Sequence, residues 1–196
     1  MDTNSATNAK AELWLIRHGE TEWSLNGKHT SYTDLPLTEN GRKQAAALQP
    51  VLAKQTFDLV LSSPRQRARL TAELAGLGHA ETEPNLQEWN YGDYEGLSTP
   101  EIRETHPGWN VWVDPITNGE SLQEVAARTQ LVIDRCLQHG GRCALFAHAH
   151  VFRILAATWL QQPGEFGARL ALATATYSVL GWERDTRVTS RWNVAP

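Results

Sequence analysis

Sulfur is scarce in this chain: 196 residues hold one methionine and two cysteines, Cys136 and Cys143. Two cysteines are too few for a disulfide framework, and their spacing is not that of a metal knuckle. They read as buried or idle thiols, which suits a reducing cytoplasm. Positive charge is not in excess either, with 18 Lys+Arg against 22 Asp+Glu and a formal net charge of −4. With no basic run, nucleic acid and anionic membranes are excluded as main partners, because their binding rests on many Lys/Arg–phosphate contacts. A small, local anion site remains compatible with that balance. No apolar run approaches the ~20 residues of a spanning helix. Residues 1–10 are small and polar, neither a secretory signal nor a span, and read as a disordered leader. The remaining residues 11–196 suit a single domain at roughly 150 residues per domain. What the chain does have in excess is tryptophan, eight in all.

Hydrophobic periodicity organises the rest. Leu13 to Ile16 is a short apolar run that stops at Arg17-His18-Gly19, as a buried strand entering a loop does. Thr38 is placed to cap a helix over 39–54, and Phe57 to Leu61 follows as a second strand. Ser62-Ser63-Pro64-Arg65 opens another helix, with Pro64 suited to its first turn. From 84 to 119 periodicity fails in a stretch rich in Gly, Pro, Trp and Tyr, with a short helix from Thr99 to Thr105. Irregular insertions of this length usually carry function. Ser121 and Glu124 have capping-box spacing before a helix that Gly140-Gly141 ends, and Cys143 to Ala147 is a third buried strand running into His148-Ala149-His150. A helix over 151–160 and a hairpin over 173–192 close the chain. The pattern predicts an α/β fold, a three-layer sandwich with a mostly parallel central sheet flanked by helices.

In such a sheet the ligand crevice lies beyond the carboxyl ends of the strands. Three strands end there in Arg17-His18, Ser62-Ser63-Pro64-Arg65 and His148-Ala149-His150. Arg17 and Arg65 supply planar, permanently charged forks for a phosphate, and Arg65 stands at a helix N-terminus where free N–H groups already favour an anion. A neutral histidine is a competent nucleophile toward phosphorus, and a leaving alkoxide needs an acid. Glu88 is the carboxylate best placed to supply it, with burial among Trp89, Tyr91 and Tyr94 expected to keep it protonated. Arg67 and Arg69 read as solvated helix charges, and His29, His79, His106 and His139 as isolated structural or exposed residues. A metal site at His148 and His150 is disfavoured, since alternate strand residues point to opposite faces.

The run Leu15-Ile16-Arg17-His18-Gly19-Glu20-Thr21-Glu22-Trp23 resembles the signature of the histidine phosphatase superfamily, the phosphoglycerate mutase-like proteins. Pro36-Leu37-Thr38-Glu39-Asn40-Gly41, Ser62 to Ala68, Leu86-Gln87-Glu88, Gly92 to Gly96, Gly119-Glu120-Ser121 and the His148 segment follow in family order. The resemblance implies His18 as the phosphorylated nucleophile, Arg17 and Arg65 as the phosphate clamp, His148 as the second histidine and Glu88 as the general acid/base. It places Thr21, Ser24, Thr30, Tyr91 and Ala149 along the phosphate or substrate. Ser24 stands where relatives carry asparagine, and Ala149 where most carry glycine. Within the superfamily the chain is most similar to sugar phosphatases of the sedoheptulose-1,7-bisphosphatase type, through Glu22-Trp23-Ser24, Thr33 to Thr38, Glu88 to Gly96 and His148-Ala149-His150 with Arg153. The implied activity is a metal-independent and cofactor-free phosphomonoester hydrolase acting on a small phosphate ester, a sugar phosphate or bisphosphate. A phosphoglycerate mutase is the alternative, disfavoured by a short 88–119 segment in which Arg103 is the clear cation. A non-catalytic phosphate-ligand protein is the remote one.

Overall fold

In a computed structural model that describes residues 10–196, one six-stranded sheet organises the chain; residues 1–9 of the expected leader lie outside the described residues. The strands are β1 (Glu12–Arg17), β2 (Leu59–Ser62), β3 (Glu81–Thr82), β4 (Arg142–Ala147), β5 (Tyr177–Glu183) and β6 (Thr186–Val194), in the order β3-β2-β4-β1-β5-β6. Strands β1 to β4 run parallel; β5 is antiparallel to β1, and β6 pairs antiparallel with β5 in a hairpin. The helices are α1 (Glu22–Leu25), α2 (Glu39–Ala47), α3 (Gln49–Leu52), α4 (Gln66–Leu74), α5 (Thr99–Thr105), α6 (Leu122–His139) and α7 (Ala149–Trp159).

The three layers follow from the period of two along each strand. Leu13, Leu15, Leu61, Leu145 and Ala147 face one side, where they pack with Val125, Val132 and Ile133 of α6 and Phe152 and Leu155 of α7. Trp14, Ile16, Val60, Ala144 and Phe146 face the other, against Leu48, Leu52 and Ala72. Strands buried on both faces read as continuous apolar runs, which is why all three were visible in the sequence.

The caps hold as their side-chain chemistry demands. Thr38 Oγ1 accepts from Gly41 N at 2.9 Å, and Ser98/Glu101 and Ser121/Glu124 form capping boxes at the starts of α5 and α6. Gly140, at φ 72°, ends α6. Three local expectations give way. The helix over 39–54 divides at Leu48, because Pro50 has no N–H to continue the ladder. Pro64 lies outside α4, whose N-cap is the extended Arg65. The hairpin begins at Tyr177, since Ala175 takes a positive φ of 49°.

The aromatic insertion is mostly core. Trp89, Tyr91, Trp109 and Trp112 are buried in the same cluster as α6 and α7, and Trp89 donates its indole N–H to the Glu120 carbonyl at 2.8 Å. The rings thus fasten the irregular segment onto one face of the sheet, and only Tyr91 and Trp112 among them reach the cavity described next.

Candidate active site

Register brings the strand ends level. Arg17 pairs with Ala147 and Ser62 with Phe146. The ladder continues one step beyond the strands, with His18 N donating to Ala147 O at 3.0 Å and Ser63 N to Phe146 O at 2.9 Å. His18, Ser63 and His148 are therefore neighbours by backbone geometry alone. The His18 and His148 rings stand 5.1 Å apart, edge to face, and both are buried.

Behind His18 the turn is held by two glycines in mutual contact. A Cβ on Gly19 would overlap the Gly41 carbonyl, and one on Gly41 would overlap the Glu20 carbonyl. Glu20 then secures the start of α2, accepting from Thr38 Oγ1 at 2.7 Å and Asn40 Nδ2 at 3.0 Å. The two motifs on either side of residue 30 are thus halves of one packed joint.

The tautomers follow from the hydrogen bonds. His18 Nδ1 donates to the Gly19 carbonyl at 2.7 Å, which leaves the Nε2 lone pair free for attack. His148 Nδ1 accepts from Arg67 Nε at 3.2 Å, so its Nε2 carries the proton and donates to Ser63 Oγ at 2.8 Å. Burial, with the nearby Arg67 and Arg17 charges adding to it, drives the His18 imidazolium well below its usual pKa of 6.5. Burial and Arg67 do the same to His148. Both rings are neutral at physiological pH. Arg17 is lowered by burial to about 10 and stays charged; one of its Nη atoms donates to the Leu172 carbonyl, while its Nε is buried with no partner among the described residues.

Arg67 is the main correction to the sequence analysis. Expected in solvent, it is 1% exposed, with its guanidinium on His148 and on the Thr33 and Ser31 carbonyls at 3.0 and 3.1 Å. Arg65, expected in the clamp, turns to Gln87 Oε1 at 2.6 Å and lies over the Tyr32 ring. The reason is helical phase: Arg65 is the extended cap, whereas Arg67 shares the inward stripe of Ala68, Thr71 and Ala72. A count by 3.6 rather than along Ala68, Leu70, Ala72 and Leu74 would have found it. We expect Arg67→Ala to lower kcat/KM for a phosphate ester by about 10²–10³-fold, and Arg65→Ala by far less. Steady-state kinetics on both variants check this, and equal losses would restore Arg65 to the clamp.

Glu88 is buried, and backbone donors hold its carboxylate. Its carboxylate accepts from Trp89 N and Val151 N through Oε1, at 3.0 and 2.8 Å, and from His150 N through Oε2 at 3.0 Å. It thereby closes the N-terminus of α7, whose first N–H groups have no helical acceptors. Ala149, the first residue of that helix, lines the cavity beside it.

The cavity over His18 holds about 430 Å³ and is also lined by Arg17, Thr21, Ser24, Thr30, Tyr91 and Trp112. Thr21 and Ser24 bond each other as the capping box of α1, so their positions are fixed. Thr30 Oγ1 donates to the Lys28 carbonyl at 3.0 Å. His29 and His150 also line this cavity, contrary to the expectation of an isolated His29. His29 lies against Tyr91 and Trp109, and burial lowers it to about 4. His150 belongs to α7, not to a strand, and shares a 2.6 Å hydrogen bond with the Tyr91 hydroxyl.

Two neutral histidines between buried guanidinium groups, at the carboxyl ends of parallel strands, define a site for a phosphoryl oxyanion and a nitrogen nucleophile. The chain belongs to the histidine phosphatase superfamily (branch 1), matched over residues 13–195. It is 42% identical over 179 residues to an acid phosphatase of Mycobacterium tuberculosis, covering 89% of this chain and 88% of the other. It is 34% identical over 178 residues to sedoheptulose 1,7-bisphosphatase of Saccharomyces cerevisiae, covering 74% of this chain and 66% of that protein. A solved structure of a Mycobacterium tuberculosis open reading frame product superposes with a TM-score of 0.90 at 38% identity, covering 94% of this chain and 98% of that one.

Proposed function

We propose that this protein is a phosphomonoester hydrolase that works through a phosphohistidine on a small phosphorylated metabolite, a sugar phosphate or bisphosphate. The observation that carries it is the His18 Nε2 lone pair, freed by the Gly19 bond and held neutral beside Arg17 and Arg67. His18 attacks phosphorus in line. Arg17, Arg67 and the His148 Nε2 proton stabilise the equatorial oxygens, with the His148 donor turning from Ser63 to the phosphate. Glu88 protonates the leaving oxygen and then activates the water that cleaves the phosphohistidine. Thr21, Ser24, Thr30, Tyr91 and the backbone of Ala149 line the path of the substrate.

Hydrolysis is favoured over phosphoryl return to substrate by the likeness to an acid phosphatase and to sedoheptulose 1,7-bisphosphatase, both more similar to this chain than the relatives named as probable phosphoglycerate mutases, at 28% identity. Buried cysteines with no disulfide suit the cytoplasm as its compartment. The test measures phosphate released from sugar monophosphates, bisphosphates and 3-phosphoglycerate, beside interconversion of 3- and 2-phosphoglycerate. Release is expected to be the faster process, and the reverse would make the protein a mutase. Because the His18 imidazolium is disfavoured, loss of the nucleophile to protonation is expected well below pH 6.5, so release should persist in acid where an ordinary histidine would be charged.

A further inference from the structure

The cavity carries two cations that the chemistry at phosphorus does not use. Lys28 and Arg103 line it together with Thr99 and Asn110. Other guanidinium groups near the site are consumed within the protein: Arg128 by Glu120 and the carbonyls of Asn85 and Gln87, Arg153 by the carbonyls of Gly167 and Ala168. Arg103 differs. Its Nε donates to the Trp109 carbonyl at 2.8 Å, which orients the guanidinium, and its Nη groups have no hydrogen-bond partner among the described residues. Lys28 Nζ lies 5.9 Å from the Trp23 ring and likewise makes no ion pair among the described residues. Glu101 feels the Lys28 charge, but its Oε2 is occupied by the Ser98 backbone and hydroxyl at 2.7 Å.

The two segments that bear these cations are joined. Lys28 and Ser98 form an antiparallel bridge, and His29 N donates to the Leu97 carbonyl at 2.9 Å. Glu88 is the one carboxylate among the described residues lining the cavity, and its oxygens are engaged at the start of α7. Beyond the reacting centre, the wall therefore presents two cations, the half-buried Lys28 and the exposed Arg103, that make no ion pair among the described residues, in a chain whose net charge is −4. A cation left unpaired in a concave site is placed to meet a ligand anion.

We propose that Lys28 and Arg103 bind a second anionic group of the substrate, so that the preferred ester carries a carboxylate or a further phosphoryl group besides the one transferred. This rests on the phosphatase function above and names its substrate class. It is tested by comparing kcat/KM for fructose 1,6-bisphosphate, 3-phosphoglycerate and glucose 6-phosphate, in the wild type and in the Lys28→Ala/Arg103→Ala double variant. The wild type should favour at least one of the two esters with a second anion by about tenfold or more, and the double variant should lose that preference through KM. Lys28→Arg/Arg103→Lys should keep it. Whichever ester is favoured tells carboxylate from phosphoryl. Equal losses on all three esters, or no loss, would overturn the proposal. Calorimetric binding of the same esters to His18→Ala protein reads the site without turnover. If no ester is hydrolysed yet binding shows the same charge preference, the phosphatase function fails and the anion site stands; hydrolysis without any such preference does the reverse.

Discussion

Replacing His18 with alanine is expected to reduce phosphate release by on the order of 10⁴–10⁶-fold, because no second imidazole among the described residues stands ready to take the phosphoryl group in its place. Among the described residues His148 is the only other imidazole in contact with it, and its lone pair at Nδ1 is taken by Arg67 while its Nε2 carries the proton. His29 and His150 line the cavity, but His150 Nδ1 is committed to Tyr91 and neither ring packs on His18. The variant should fold, since the substitution removes one buried ring and leaves the backbone bonds of residue 18 to Ala147 and Ala175 intact. Circular dichroism verifies the fold, a continuous assay gives the rate, and acid-labile phosphate trapped on wild-type protein should be absent from the variant. Residual release above about a hundredth of wild type would remove His18 from its role as nucleophile.

Glu88→Gln is expected to act differently on different leaving groups. For an alkyl phosphate, whose departing alkoxide needs a proton, the loss should reach about 10²–10⁴-fold. For p-nitrophenyl phosphate, whose leaving group departs unaided, it should be much smaller. The contrast matters because Glu88 has two tasks. Its oxygens hold two backbone N–H groups at the start of α7, those of His150 and Val151, and the N–H of Trp89 beside it. A glutamine keeps one carbonyl oxygen but turns an amide NH₂ toward those donors, so part of the effect is positional. Mispositioning of α7 would depress both substrates alike through Ala149 and His148. Only a lost acid separates them, and a ratio between the two esters that is unchanged from wild type would deny Glu88 that function.

The order of strands and helices was legible because it rests on local rules. Apolar runs such as Leu13 to Ile16 and Cys143 to Ala147 can only be buried on both faces, and Thr38 and Ser121 cap helices with their own hydroxyls. The two-residue β3 was not legible, since Glu81 and Thr82 are exposed and join the sheet by backbone bonds to β2 alone. Nor was the depth of the aromatic insertion. Its tryptophans do not recur at a helical or strand period, so nothing local says whether they cover a ligand or the sheet.

The site divides along the same line. His18, His148, Arg17 and Glu88 follow strand ends or a motif, and the topology of a parallel sheet collects strand ends at one edge whatever the details of packing. Which arginine of α4 turns inward, and what surrounds Glu88, depended on where α4 and α7 lie against the sheet. By itself the sequence determined a mostly parallel sheet with a phosphate-directed set of side chains at its carboxyl edge, since hydrophobic period, caps and strand ends are properties of neighbouring residues. The tertiary structure alone decided that Arg67 is buried against His148, that Glu88 caps a helix, and that Lys28 and Arg103 share one cavity wall. Those are contacts between segments far apart in the chain, and burial, which sets the charge state of His18, arises only when the segments meet.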